Sequence, residues 1–192
     1  MYTIKAKNTR DAWNAIMTYI NLYGDNLVTE DGQMTREIRN LIVEIEHPEE
    51  GYPIKGTNWG ITALEQYAEQ ILDPRDKGFI YDYGSRLARN GQIDVAIDKL
   101  RENHNTRRAI LSTRDIEKDL TAQHTPCLQI VEFLYRDGKL HMTCFFRSND
   151  MRDAWPSNIY GLTALLRYVA TMADMEMGSI TTHSVSAHYY ID

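Results

Sequence analysis

Residues 127–148 read CLQIVEFLYRDGKLHMTCFFRS, and this stretch decides the fold. Positions 128–135 are rich in β-branched, aromatic and long apolar side chains. Asp137-Gly138 supplies turn chemistry, and positions 140–146 run back in the same strand-forming composition. The segment predicts a β-hairpin. Such a hairpin carries Cys127 at the start of one strand and Arg147-Ser148 at the end of the next, so a thiol and a guanidinium meet at one end of a sheet. Asn158, a few residues on, opens a predicted helix and brings a carboxamide to the same end.

Working outward, Trp13, Ile16, Met17 and Ile20 recur at helical spacing and predict a helix over 9–23, stopped by Gly24. Residues 41–46 form a strand ended by Pro48, and a loop rich in Gly and Pro covers 49–60. A second amphipathic helix spans 61–72, closed by Asp73-Pro74, and a third spans 93–103 with Ile93, Ala96, Ile97 and Leu100 on one face. A short strand at 109–113 precedes the hairpin. The most apolar helix covers 158–172, and a last strand covers 179–186. There is no internal repeat, low-complexity tract or linker. The pattern predicts a single domain over residues 1–192, α/β of the α+β type, with helices packed on a mixed or antiparallel sheet.

At 192 residues, 43% hydrophobic and 25% charged, the composition is that of an ordinary globular protein with one substantial core. No apolar run has the length of a membrane span, and the N-terminus lacks a signal-peptide pattern. With Cys127 and Cys144 the only cysteines, reduced thiols and a cytoplasmic location are expected. The net charge of −6 argues against a broad nucleic-acid footprint and for a small anion as the partner of local arginine clusters.

Several residues carry chemistry and also have plainer readings. A cysteine beside a strand is commonly a small buried hydrophobe; as a nucleophile it needs nearby positive charge, for which Arg147 is the local source. Arg107-Arg108 and Arg147 suit a phosphate, whose oxygens match guanidinium forks, although an Arg pair in a turn is often only solvated. Asn158 reads equally as an N-cap. His188 and Tyr190 lie two apart on a strand and face one side. Glu65 and Glu69 share a helix face.

The order Arg107-Arg108, Pro126-Cys127, Gln129, Arg147-Ser148-Asn149-Asp150, Pro156-Ser157-Asn158-Ile159 and His188-Tyr189-Tyr190 resembles the thymidylate synthase family, which includes deoxynucleotide hydroxymethylases. The resemblance covers about residues 81–190 and is nearest the compact archaeal-type branch. It implies a thymidylate synthase-like sheet whose second face is a dimer interface. It implies an enzyme that adds a one-carbon unit to C5 of dUMP through a Cys127 adduct at C6, with methylenetetrahydrofolate or a related pterin such as methanopterin as donor, and no metal. In those terms Tyr83, in the Tyr81–Gly84 segment, and Glu65, favoured over Glu69, serve proton transfer. Arg107 and Arg108 reach across the dimer to the phosphate, and Arg147 and Ser148 complete its cradle. Asn158 reads uracil, His188 and Tyr190 hold the 3′-hydroxyl, and Asp150 contacts the pterin.

There are departures from the family's pattern. The early phosphate arginine has no match near residues 29–32, which leaves three arginines or a recruit such as Arg36 or Arg39. Leu128 stands where many members have His, and Ala154 where a glycine is common. The sequence ends at Asp192, where longer relatives continue into a closing segment; this shifts some weight to a hydroxymethylase, in which water replaces hydride in the last step. A non-catalytic nucleotide- or RNA-binding relative is the remaining alternative.

Overall fold

The hairpin forms as its turn dictates. Asp137 and Gly138 both take positive φ (52° and 81°), and Arg136 pairs directly with Lys139. This is the two-residue, primed turn that matches the right-handed twist of the flanking strands. The computed structural model describes residues 1–78 and 82–191; Tyr81 and Asp192 lie outside the described residues. In chain order the elements are β1 (Tyr2–Asn8), α1 (Thr9–Tyr23), β2 (Asp25–Val28), β3 (Met34–His47), α2 (Ile61–Leu72), α3 (Tyr83–Ala88), α4 (Gln92–Glu102), β4 (Ala109–Ser112), α5 (Ile116–Asp119), β5 (Leu128–Arg136), β6 (Lys139–Asp150), α6 (Trp155–Met172) and β7 (Glu176–Tyr190).

The strands form one sheet in the order β1-β3-β7-β6-β5-β4, with β2 paired to β3. It is mixed: β1/β3 and β6/β7 are parallel, the other pairs antiparallel. Each parallel pair is joined by a crossover helix, α1 and α6 respectively, as parallel strands require. One row of the register crosses the whole sheet through Leu111, Val131, Cys144, Thr182, Val43 and Ile4, and all six are buried. This is the face covered by helices. The neighbouring row, Ile130, Phe145, His183 and Ile42, faces the other way and is half-buried or exposed.

Helix α6 anchors the covered face, burying Trp155, Ile159, Leu162, Leu165, Leu166 and Val169. Each such side chain contributes about 1.5–3 kcal/mol relative to exposure. It begins three residues earlier than the pattern predicts, because Pro156 sits in its first turn, where a missing N–H costs nothing. Ala154 is the N-cap and makes no side-chain capping bond, so Asn158 lies inside the helix and its capping reading is wrong. Helix α1 is capped as its sequence allows, with Asn8 Oδ1 accepting from Asp11 N–H at 3.0 Å.

The sheet kinks at one level. Burial alternates through 41, 43 and 45 of β3, 140 to 146 of β6 and 180 to 184 of β7, then resumes one residue out of phase at Ile38, Asn149 and Ala187. The level is marked by Asn40 at φ 56° and by a register shift between Leu128 and Ile130. Bulges of this kind bend a strand and re-aim its side chains. Beyond the kink lie Ser148, Asn149, Asp150, His188 and Tyr190.

Candidate active site

Past the kink, the ends of β6 and β7, the N-terminus of α6 and the inner face of α2 enclose a cavity of about 500 Å³. Cys127, Tyr83, Ser148, Asp150, Asn158, His188 and Tyr190 all line it, together with Tyr67, Gln70, Ile71, Asp82, Asn149 and Ala154. The thiol sits at the head of β5, half-buried, and neither cysteine is in a disulfide. Cys144, by contrast, is buried in the core row, and burial pushes its thiol well above the usual range; it has no path to a ligand.

The loop that carries Cys127 is held by Arg147. Its backbone N–H donates to Cys127 O at 2.9 Å, Nε donates to Pro126 O at 3.2 Å and Nη2 to Thr125 O at 2.7 Å. The guanidinium is otherwise exposed, and it lies along the loop rather than in the cavity wall. On the far side of the thiol, the Tyr83 hydroxyl accepts from Leu128 N–H at 3.2 Å.

Asn158 is 5% exposed, and its Oδ1 accepts from the Tyr67 hydroxyl at 2.6 Å. That bond is possible because α2 and α6 approach closely one turn further along: a Cβ on Gly161 would lie 2.6 Å from Ile71 Cγ1 and 3.2 Å from Tyr67 Cδ1. Asp150 Oδ1 accepts from the N–H groups of Arg152 (3.0 Å) and Asp153 (3.1 Å), which leaves Oδ2 without a protein partner among the described residues. Burial raises the Asp150 pKa and, for the same reason, lowers that of His188. Tyr190 is raised, first by burial and then by the neighbouring Asp150. Its ring meets that of His188 edge-on, with centroids 5.3 Å apart.

Besides Arg147, three more expected members lie outside the cavity wall. Glu65 is exposed and faces a separate groove with Tyr52, Glu69 and Arg167. The inward stripe of α2 runs through Leu64, Tyr67, Ala68 and Ile71, so neither glutamate reaches the cavity. Arg107 and Arg108 are exposed on the loop between α4 and β4, around a hollow of their own with Asn103 and Asn105. The proposed recruits are also absent: Arg36 binds the carbonyls of Ile20 and Asn21, and Arg39 faces another hollow. Sequence reasoning missed Tyr67, although the apolar stripe of α2 points to it and away from Glu65.

A half-buried thiol, an amide held in fixed orientation and a polar His–Tyr wall thus meet in one cavity of an α+β fold. The chain belongs to the thymidylate synthase family, whose family model matches residues 58–192. A relative from Methanosarcina acetivorans, provisionally named a thymidylate synthase, is 40% identical over 193 residues, spanning 97% of this chain and 88% of its own. One from Methanocaldococcus jannaschii, of the same name, is 36% identical over 209 residues, spanning 100% and 92%. The fold is that of solved thymidylate synthases: T4 phage thymidylate synthase superposes with a TM-score of 0.77 at 20% identity, covering 94% of this chain and 76% of that one. Thymidylate synthase A from Bacillus subtilis gives 0.73 at 20% identity, covering 96% and 80%. Among the described residues, no helix is long and apolar enough to cross a membrane.

Proposed function

We propose that this protein transfers a one-carbon unit to C5 of dUMP. The observation that carries this reading is the meeting of Cys127 and the Tyr67-held Asn158 amide in one cavity. An amide offers a donor and an acceptor side by side, which is what O4 and N3–H of uracil require. With the base so held, the Cys127 thiolate adds to C6. The C5=C6 double bond opens, and C5 gains the enolate character needed to attack a one-carbon electrophile. Tyr83, whose hydroxyl accepts from Leu128 N–H beside the nucleophile's loop, serves proton transfer on this reading. Ser148 takes the phosphate from within the cavity, Arg147 reaches it with the exposed part of its guanidinium from the Cys127 loop, and His188 and Tyr190 take the 3′-hydroxyl.

The donor is methylenetetrahydrofolate or a related methylene-pterin such as a methanopterin. The partly buried carboxyl of Asp150 has one oxygen open to the cavity and fits a polar heteroaromatic ring of that kind. When bound, the pterin supplies the one-carbon unit. The working form is a homodimer in the cytoplasm, paired through the uncovered face of the sheet. Ile130, Phe145, His183 and Ile42 form a continuous row there, a surface that association would bury. Arg107 and Arg108, which stand outside their own cavity, complete the phosphate site of the partner.

Release of tritium from [5-³H]dUMP, followed by the mass of the product, tests this reading. Release dependent on both a methylene-pterin and Cys127 is expected, with dTMP as the product. A product heavier than dTMP by one oxygen would show that water, in place of hydride, adds to the exocyclic methylene in the last step. Absence of release with both folate and methanopterin donors would overturn the reading.

A further inference from the structure

Ser186, His188 and Tyr190 share one side of β7, and Glu37 of β3 is the register partner of His188. The Ser186 hydroxyl donates to Glu37 Oε2, and Ser186 Oγ lies 3.2 Å from His188 Nδ1. A carboxylate only accepts, and a serine hydroxyl has one proton. With that proton committed to Glu37, Ser186 Oγ can meet Nδ1 only as an acceptor, so Nδ1 carries the hydrogen. The other charged or titratable groups facing the ring are Asp150 and Arg147 from β6 and Tyr190 from its own strand. Burial lowers the His188 pKa, which favours a neutral ring. Nε2 has no protein partner among the described residues, and His188 lines the cavity.

We propose that Glu37 and Ser186 are positioning residues that lock His188 in the Nδ1–H tautomer, so that Nε2 faces the cavity as a hydrogen-bond acceptor for a ligand hydroxyl. The proposal rests on the functional reading only where it names that hydroxyl as the 3′-OH of dUMP. A ring of the opposite tautomer would present N–H to the cavity, and a ligand hydroxyl would then have to accept. Tyr190 remains able to donate or accept, so the pair as built binds a hydroxyl from both sides.

The tautomer is read directly by long-range ¹H–¹⁵N correlation of the ligand-free, ¹⁵N-labelled protein, with His188 assigned through its loss in His188→Asn. The wild type should show a protonated Nδ1 and a bare Nε2. Ser186→Ala and Glu37→Gln should each move His188 toward Nε2–H or a mixture. An Nε2–H wild type, or a pattern unchanged in both variants, overturns the lock whatever the substrate is; the wild-type spectrum decides the first point even where a variant fails to fold. Binding of dUMP is then compared with its 3′-deoxy analogue. Loss of the hydroxyl should weaken wild-type binding by roughly tenfold, the scale of one hydrogen bond, and this ratio should shrink at least threefold in Ser186→Ala. An undiminished ratio overturns the selection of the hydroxyl. A protein with the lock intact that binds neither nucleotide sinks the functional reading and leaves the lock standing.

Discussion

Replacing Asn158 by Asp should reverse or erase the preference for uracil, and should do so in a pH-dependent way. On the proposed reading the wild-type amide serves two atoms of the base, while Tyr67 holds its oxygen at 2.6 Å. A base that mismatches both positions leaves two buried polar groups unpaired, at about 1–3 kcal/mol each. Two such losses correspond to about 30-fold to about 10⁴-fold in favour of dUMP over dCMP. An ionised carboxyl at this position accepts from the exocyclic amine of cytosine but repels O4 of uracil. Tyr67 would still donate to it, and a hydrogen bond to a charged group is worth about 1.5–3 kcal/mol.

That bond does not offset the desolvation of a site only 5% exposed, so the new carboxyl's pKa should be raised. Below that pKa the neutral acid is both donor and acceptor and can pair with either base. Above it, uracil is excluded. The dUMP/dCMP ratio of kcat/KM, read by tritium release from C5 of each nucleotide, should therefore fall as pH rises in the variant and stay flat in the wild type. A variant ratio within threefold of the wild type at every pH would refute the role of Asn158 in reading the base.

Cys127→Ala should abolish tritium release while leaving dUMP affinity within a few-fold, whereas Cys144→Ala should lower only stability; calorimetric binding and melting separate the two. Mixing an Arg107→Ala/Arg108→Ala protein with Cys127→Ala should restore activity that neither parent has, because one site of each mixed dimer is then complete; stable mixed dimers without activity would refute shared sites. Gly161→Ala places a methyl 2.6 Å from Ile71 Cγ1. The strain, about 1–3 kcal/mol, outweighs the helix-propensity gain of about 1 kcal/mol, so both Tm and base selectivity should drop. For Asp150, a folded pKa raised by burial means that the folded state holds the proton more tightly than the unfolded chain. Its contribution is present below the ordinary carboxyl pKa of about 3.9 and is lost as pH rises through the raised value. Asp150→Asn, which keeps Oδ1 as an acceptor, should flatten that part of the stability-against-pH curve, as followed by urea unfolding.

The four longer helices and the hairpin were legible because each announces itself locally, whereas the short α3 and α5 were not read. Residues 9–23 and 61–72 match α1 and α2 as observed, and 93–103 is one residue from α4. Among the strands, what escaped carries little burial of its own. β1 is an edge strand with Ile4 as its buried residue. Positions 34–40 of β3 are mostly polar, since past the kink that strand faces the polar network around Glu37 and Ser186. Neither leaves the apolar alternation on which strand prediction depends. In the site, residues near the hairpin (Cys127, Ser148, Asp150, Asn158) were readable because chain proximity implies spatial proximity. Tyr67 and the exclusion of Glu65 depend on the rotation of α2 about its axis. That rotation is set by packing against α6, and a list of motifs does not contain it.

The two walls of the cavity are consequently held by different physics. Ser148, Asp150, His188 and Tyr190 stand on β6 and β7, where a one-residue slip would turn every side chain to the opposite face. Their spacing is tied to the backbone ladder that also carries the core row through Cys144 and Thr182, so it cannot drift without cost to the whole sheet. Tyr67, Gln70 and Ile71 stand on a helix whose distance from Asn158 is set by side-chain contact at Gly161. A methyl group more or less there changes that distance by tenths of an ångström and leaves the sheet intact. Under the proposed reading the sugar and phosphate meet the rigid wall and the base meets the adjustable one. Changes of base preference should therefore be reached through α2 and the first turns of α6, and substitutions on β7 should cost binding of dUMP and dCMP alike.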